Sequence, residues 1–297
     1  MVKRLLPFSG KFLKLDGGIN YHYLDAGTGS PVVMLHGNPS WSFYYRRLAV
    51  QLSSDHRVIV PDHVGCGLSD KPGDEQYDYT LTSRVDNLEQ LLDTLEIKEN
   101  ITLVVHDWGG MIGMAYATKY PERIAKLVIM NTAAFHLPKD KQLPFSLKIC
   151  RDTAVGSFLI RAGNAFSLGA AWVGCKQNPL PRALRCAYTA PYNSWRNRIA
   201  TLRFVQDIPL SPTDSAYAEV DRVENNLNKL TNVPMLICWG EKDFVFNSQF
   251  LAQWKLRFPK ATVKSWHNVG HYILEDISDE VIPIISDFIR CKNSSNQ

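Results

Sequence analysis

The sequence lacks several features that would fix its class at once. No run reaches the roughly 18 apolar residues that a membrane-spanning helix needs, so a spanning protein is not expected. No HExxH, EF-hand or P-loop pattern occurs, and Cys66, Cys150, Cys175, Cys186, Cys238 and Cys291 form neither a CxxC nor a zinc-type spacing. No metal and no other cofactor is therefore expected, and the cysteines are read as free thiols. No block of Lys and Arg stands out. The 33 basic and 29 acidic residues leave a net charge of +4, too small and too evenly spread to argue for a nucleic-acid surface. No internal repeat or low-complexity tract is present. At the N-terminus, Lys3 and Arg4 precede a few apolar residues, but Pro7, Ser9 and Lys11 interrupt any signal-peptide core. The expected location is the cytoplasm.

What is present is the composition of a globular protein, 45% hydrophobic and 21% charged over 297 residues, long enough to bury a large core. Lys11 to Leu15 and Ile19 to Asp25 alternate around Asp16-Gly17-Gly18, the pattern of a β-hairpin. Short apolar runs follow at Val32 to Leu35, Val58 to Pro61, Thr102 to Val105, Leu127 to Met130, Met235 to Trp239 and Thr262 to Trp266. Runs without alternation read as strands covered on both faces, hence a parallel sheet. Between them lie amphipathic helices. In Thr82 to Leu95, residues Val85, Leu88, Leu92 and Leu95 recur at helical spacing. This alternation predicts an open α/β sheet.

The rhythm stops between about Phe135 and Tyr217. That stretch is rich in aromatics, Gly and Pro, and reads as helices interrupted at Gly163, Gly169 and Pro179-Leu180-Pro181. So long a structureless loop would be unusual, and a helical cap inserted after the sixth strand is expected. The core domain would then be residues 1–134 and 218–297, with the cap at 135–217. The polar tail, Lys292 to Gln297, reads as frayed.

The decisive stretch is Leu103-Val104-Val105-His106-Asp107-Trp108-Gly109-Gly110. It ends a buried strand and opens a helical run, Met111 to Tyr120. A sharp strand-to-helix turn lifts one side chain above the sheet and aims the helix N-terminus at the reacting atoms. In the Gly-x-Ser-x-Gly form of this elbow the lifted residue is serine; here it is Asp107. A carboxylate that attacks carbon leaves an ester on the enzyme, which suits displacement at the carbon of a halide, an epoxide or a strained ring. Helix capping is the competing role for an Asp in this position. Val105 stands where the elbow normally has a small residue, so local packing must differ.

Hydrolysis of an enzyme ester needs a base to activate water. In the elbow architecture the order along the chain is nucleophile, acid, histidine. His271 lies in the loop after the last strand, as that order requires. His267, His106 and His136 are less suitably placed. Asp243, just after the Met235 to Trp239 strand, is the orienting acid. The other location used for such an acid, after Leu127 to Met130, carries Asn131-Thr132 and no carboxylate. The loop His36-Gly37-Asn38-Pro39 is expected to supply donors for an anion, with the Asn38 amide and the Trp108 indole N–H pointing into the cavity.

These motifs resemble the haloalkane dehalogenases and their relatives over nearly the whole chain. The resemblance rests on His36 to Ser42, Pro61 to Pro72, and His106-Asp107-Trp108-Gly109-Gly110. It implies an α/β-hydrolase fold, a triad of Asp107, His271 and Asp243, and a leaving-group pair of Asn38 and Trp108. A narrower resemblance, carried by Val105 to Met114, Asn164-Ala165-Phe166 and Arg203 to Leu210, is to the β-lactone decarboxylases of bacterial olefin biosynthesis. Those enzymes convert a cis-β-lactone to an alkene and CO2. Kinship with them implies a small apolar substrate and association with other olefin-biosynthesis enzymes. The residues alone leave open a dehalogenase, or an epoxide hydrolase using Tyr188, Tyr192 or Tyr217 as proton donor. An inactive binding module is the reading from another class.

Overall fold

The computed structural model describes residues 5–139 and 141–291; the sequence reading of the polar tail falls outside them. Among the described residues eight strands form one sheet: β1 (Gly10–Lys14), β2 (Asn20–Ala26), β3 (Pro31–Leu35), β4 (Arg57–Pro61), β5 (Ile101–His106), β6 (Ile124–Met130), β7 (Met235–Gly240) and β8 (Thr262–Trp266). Their spatial order is β1-β2-β4-β3-β5-β6-β7-β8. The β1–β2 and β2–β4 pairs are antiparallel and all others are parallel. Gly17 and Gly18, with φ of 84° and 85°, make the β1–β2 turn that a side chain would strain.

Side chains alternate across the central strands. Leu103, Val105, Leu127 and Ile129 enter one core cluster with α2 (Leu81–Thr94) and α3 (Trp108–Lys119). Val104, Val128 and Met130 enter another, with α1 (Arg46–Leu52) and the C-terminal helix Ser278–Arg290. Two apolar faces explain the unbroken runs, since a strand covered on both sides has no polar register. Helix α2 starts at Thr80, whose side chain accepts from the Ser83 N–H, and it buries Val85, Leu88 and Leu92.

Two local expectations need correction. Thr262–Trp266 forms a strand, but an edge strand with only β7 beside it, and its side chains are exposed or half-buried. Gly169 does not interrupt a helix. Between β6 and β7 lie α4 (Phe145–Asp152), α5 (Ala154–Gly163), α6 (Ala165–Val173), α7 (Arg182–Thr189) and α8 (Ile199–Gln206), and Gly169 sits inside α6. The break between α5 and α6 is Asn164, in the left-handed conformation at φ 51°. Asn tolerates that region through local hydrogen bonding.

Candidate active site

Asp107 joins β5 to α3 with φ 51° and ψ −128°, a strained conformation for a residue with a side chain. Its carbonyl is held by the Thr132 hydroxyl and by the Gly110 N–H, and its own N–H donates to Asn131 O at 3.2 Å. Close approach is possible because three neighbours are glycines. A Cβ on Gly37 would lie 2.0 Å from Asp107 Oδ1, one on Gly109 1.9 Å from Leu35 O, and one on Gly110 1.8 Å from Thr132 Oγ1. The large residue at Val105 is accommodated the same way. A Cβ on Gly113 would stand 2.6 Å from Val105 Cγ1, so the space given up at one position is returned at the other.

The Asp107 carboxylate is buried. The Asn38 backbone N–H donates to Oδ1 at 2.6 Å, and the Trp108 backbone N–H also lowers the cost of its charge. Burial still dominates and pushes its pKa up, against His271 and these donors. His271 Nε2 lies 3.8 Å from Asp107 Oδ2, and His271 Nδ1 lies 2.7 Å from Asp243 Oδ2. Burial opposes the imidazolium, but the Asp243 and Asp107 carboxylates outweigh it and raise the His271 pKa. Asp243 Oδ1 accepts from the Val245 and Phe246 N–H groups at 2.7 and 3.1 Å.

Other residues hold these in place, and sequence reasoning missed them. Asn131, set aside as unable to supply a carboxylate, instead braces one: its Nδ2 donates to Asp243 Oδ2 at 3.0 Å and to Gly240 O at 2.9 Å, while its Oδ1 accepts from Gly240 N at 2.8 Å. His106 packs against the His271 ring at 4.5 Å and its Nε2 donates to His271 O at 2.9 Å; burial lowers its pKa. Asp62 carries the adjoining loop, accepting from Ser42 N at 2.6 Å, Leu68 N at 2.9 Å and His22 Nδ1 at 2.7 Å. Burial opposes its charge, yet His22 and the backbone donors hold its pKa down to about 2. The only sequence signal for Asp62 is its place in the Pro61 to Pro72 stretch that resembles the dehalogenases.

Above Asp107 lies a cavity of about 290 Å³. Asn38, Asp107, Trp108 and His271 line its floor, and Leu147, Phe166, Val205 and Phe246 are among its apolar walls. The expected side-chain role of Asn38 is altered: its Nδ2 donates to Thr201 O at 3.1 Å, leaving one N–H of the amide beyond that bond. The sequence alternatives separate clearly. His267 is exposed beside Glu241, and His136, at the cavity wall, packs against the tilted Tyr217 ring at 4.2 Å. Tyr188 donates to Glu275 and Tyr192 to Ser40 O. Among the described residues no tyrosine lines the cavity, so the epoxide reading lacks its proton donor. Nor do three His, Cys, Asp or Glu side chains gather among the described residues in a way that could hold a metal ion.

Comparison with known proteins agrees with this architecture. The family model described as alpha/beta hydrolase fold matches residues 30–276. A cis-3-alkyl-4-alkyloxetan-2-one decarboxylase of Shewanella oneidensis is 58% identical over 97% of this chain and 91% of its own length. One from Xanthomonas campestris is 47% identical, covering 95% and 96%. A haloalkane dehalogenase of Mycobacterium marinum is 33% identical over 76% and 73%. Among solved structures, the haloalkane dehalogenase DatA of Agrobacterium tumefaciens superposes with a TM-score of 0.83 at 21% identity, covering 95% of this chain and 96% of that one; at that identity it speaks for the fold alone. The chain belongs to the alpha/beta hydrolase fold family, in the group that contains the cis-3-alkyl-4-alkyloxetan-2-one decarboxylases.

Proposed function

We propose that this protein is a cis-β-lactone decarboxylase acting in the cytoplasm, with Asp107 as nucleophile, His271 and Asp243 as its charge-stabilising pair, and Asn38 and Trp108 as donors to the departing anion. Residues 135–217 serve as the cap over a core of 1–134 and 218–297. The observation that carries this reading is a buried carboxylate, not a hydroxyl, at the floor of an apolar cavity. The two decarboxylase relatives, at 58% and 47% identity, favour the lactone over the haloalkane.

The chemistry balances without water. An Asp107 oxygen attacks C4 of the oxetan-2-one; the C4–O ring bond breaks and its electrons leave on the substrate's carboxylate. That anion meets the same donors that a halide would. The C3–carboxylate bond then breaks, its electrons form the C3=C4 bond, and the C4–Asp107 bond breaks. CO2 and alkene depart and the Asp107 carboxylate is restored. Inversion at C4 followed by anti elimination gives a cis alkene from a cis lactone. Throughout, an imidazolium at His271 stabilises negative charge near Asp107, and Asp243 holds the ring's orientation. In a dehalogenase the same histidine must deprotonate water.

The test incubates wild type and Asp107→Ala with a long-chain cis-3,4-dialkyl oxetan-2-one and, in parallel, with 1,2-dibromoethane. Cis alkene and CO2 that vanish in the variant support the reading. Bromide release without alkene would make the protein a dehalogenase built from the same residues. Association with the enzymes that form the lactone is part of the proposal, and co-purification from cells making the lactone checks it.

A further inference from the structure

The helical segment over the cavity has an unusual surface. From Ala154 to Gly174 the only charged residue is Arg161. Asn164 breaks this stretch into α5 and α6, and among the described residues no helix is long and apolar enough to cross a membrane. The apolar side chains are nonetheless turned outward. Val155, Phe158 and Leu159 on α5 are exposed, as are Leu168 and Trp172 on α6, with Val155 at 65% and Trp172 at 63%. These positions recur at three- and four-residue spacing, so each helix shows an apolar stripe to solvent. Helix α6 is apolar on two sides. Ala165, Phe166, Gly169, Ala170 and Val173 line the cavity, while Leu168 and Trp172 face out. Val173 is at once exposed and cavity-lining, so the apolar surface runs on into the site. Scattered apolar residues are normal on a surface; a connected set of them marks an interaction site.

Charge says what covers it. Residues 135–217 carry eleven Lys and Arg against four Asp and Glu, a net of +7; within a total of +4 the rest of the chain is therefore −3. The expectation of an evenly spread charge therefore fails: the positive excess is concentrated in this one stretch of the chain. Among the described residues, the Lys and Arg of this segment that form ion pairs are Arg151 and Arg203, while its Asp207 pairs with Arg84 outside it. Arg161 stacks on Trp195 at 4.8 Å and Arg185 on Trp172 at 3.8 Å, and Lys148, Arg182 and Arg196 are exposed with no carboxylate partner. Outward apolar stripes, tryptophans and uncompensated cations together fit the interface of an anionic bilayer.

We propose that α5 and α6 dock on an anionic lipid surface, seating the cavity mouth where an apolar substrate is dissolved. The inference rests on the cavity being apolar and not on which bond is broken in it.

The test is vesicle sedimentation of the full chain, which reads no turnover and so stands apart from the decarboxylase assay. Binding is expected to vesicles containing roughly a quarter phosphatidylglycerol, to fall with salt, and to be much weaker on pure phosphatidylcholine. Removing one cation should weaken it about fivefold, so Lys148→Gln, Arg182→Gln and Arg196→Gln combined should cost on the order of a hundredfold. The double variant Phe158→Ser, Leu159→Ser should abolish binding while leaving thermal unfolding unchanged. Equal binding by the apolar variant would overturn the proposal. So would a wild type that ignores both vesicles, or one that self-associates through this face with no lipid binding.

Discussion

Replacing Asn131 with alanine removes three hydrogen bonds from the seam between β6 and β7. The Gly240 N–H loses its acceptor at 2.8 Å, Gly240 O loses a donor at 2.9 Å but keeps the Asp243 N–H, and Asp243 loses one of its four donors. A buried donor stranded in this way costs about 1–3 kcal/mol. Alanine at the positive φ of Asn131, 32°, adds about 1 kcal/mol. The variant should be about 3 kcal/mol less stable, which for a chain of this size is a fall in Tm of about 6 °C. Asp243 retains Val245, Phe246 and His271, so the imidazole should be loosened but not lost. A charge-assisted bond is worth about 1.5–3 kcal/mol, and kcat should fall about tenfold or somewhat more with KM little changed. Asn131→Asp keeps the shape and places a second carboxyl beside Asp243; its activity should fall further as pH rises and that group ionises. The assays are thermal unfolding and single-turnover kinetics across pH. A Tm within 1 °C of wild type for Asn131→Ala would refute the idea that this side chain braces the acid.

Other outcomes follow from the same geometry. Because burial raises the Asp107 pKa, the folded chain binds a proton there more tightly than the unfolded one, and stability falls as pH climbs from the unfolded value, about 3.9, through the folded one. Asp107→Asn should therefore be inactive yet at least as stable as wild type near neutrality, as read by urea unfolding. The raised His271 pKa gives the same direction at higher pH: its stabilisation is full below about pH 6.5 and is lost as pH rises through the higher folded value, so His271→Gln should flatten the stability profile above that pH. Arg84, buried behind the site, donates to Asp207 at 2.8 Å and stacks on Phe204 at 3.7 Å, which itself packs against Trp108. Arg84→Met should cost about 3–5 kcal/mol by stranding Asp207, and adding Asp207→Leu should recover most of it in denaturant titrations. Gly169 lines the cavity and a Cβ there would meet nothing within 4 Å; Gly169→Leu should keep its Tm and lose turnover selectively on the longest-chain substrates.

The parts legible in the sequence are those set by local pattern. Strands β3 to β7 announced themselves because both their faces are buried, and Asp107 because a strand, an acid and two glycines stand in one line. His271 and Asp243 followed from chain order. What stayed hidden depends on pairing between distant segments. Nothing local to Asn131 reveals that β7 will bring Gly240 and Asp243 beside it. Nor could the Asn38 side chain be seen to spend one N–H on Thr201 of the inserted helices, leaving its backbone N–H to meet Asp107. Nothing in Thr262–Trp266 marks it as exposed, because a strand's neighbours, not its own residues, decide whether it is an edge.

The interruption of the sheet after β6 has a consequence for the newborn chain. By Thr132 the elbow, the loop at Asn38 and six strands have all emerged, yet β6 pairs on its far side only with β7, roughly a hundred residues later. Closing so long a loop carries an entropic cost that nothing repays until β7 docks. Until then Leu127 to Met130, an apolar run buried on both faces in the finished fold, presents an open edge to any other chain. A chain that ends within the helices between β6 and β7 is six strands of the eight-stranded sheet with an apolar edge left open. The growing polypeptide therefore carries this unpaired apolar edge until β7 is made.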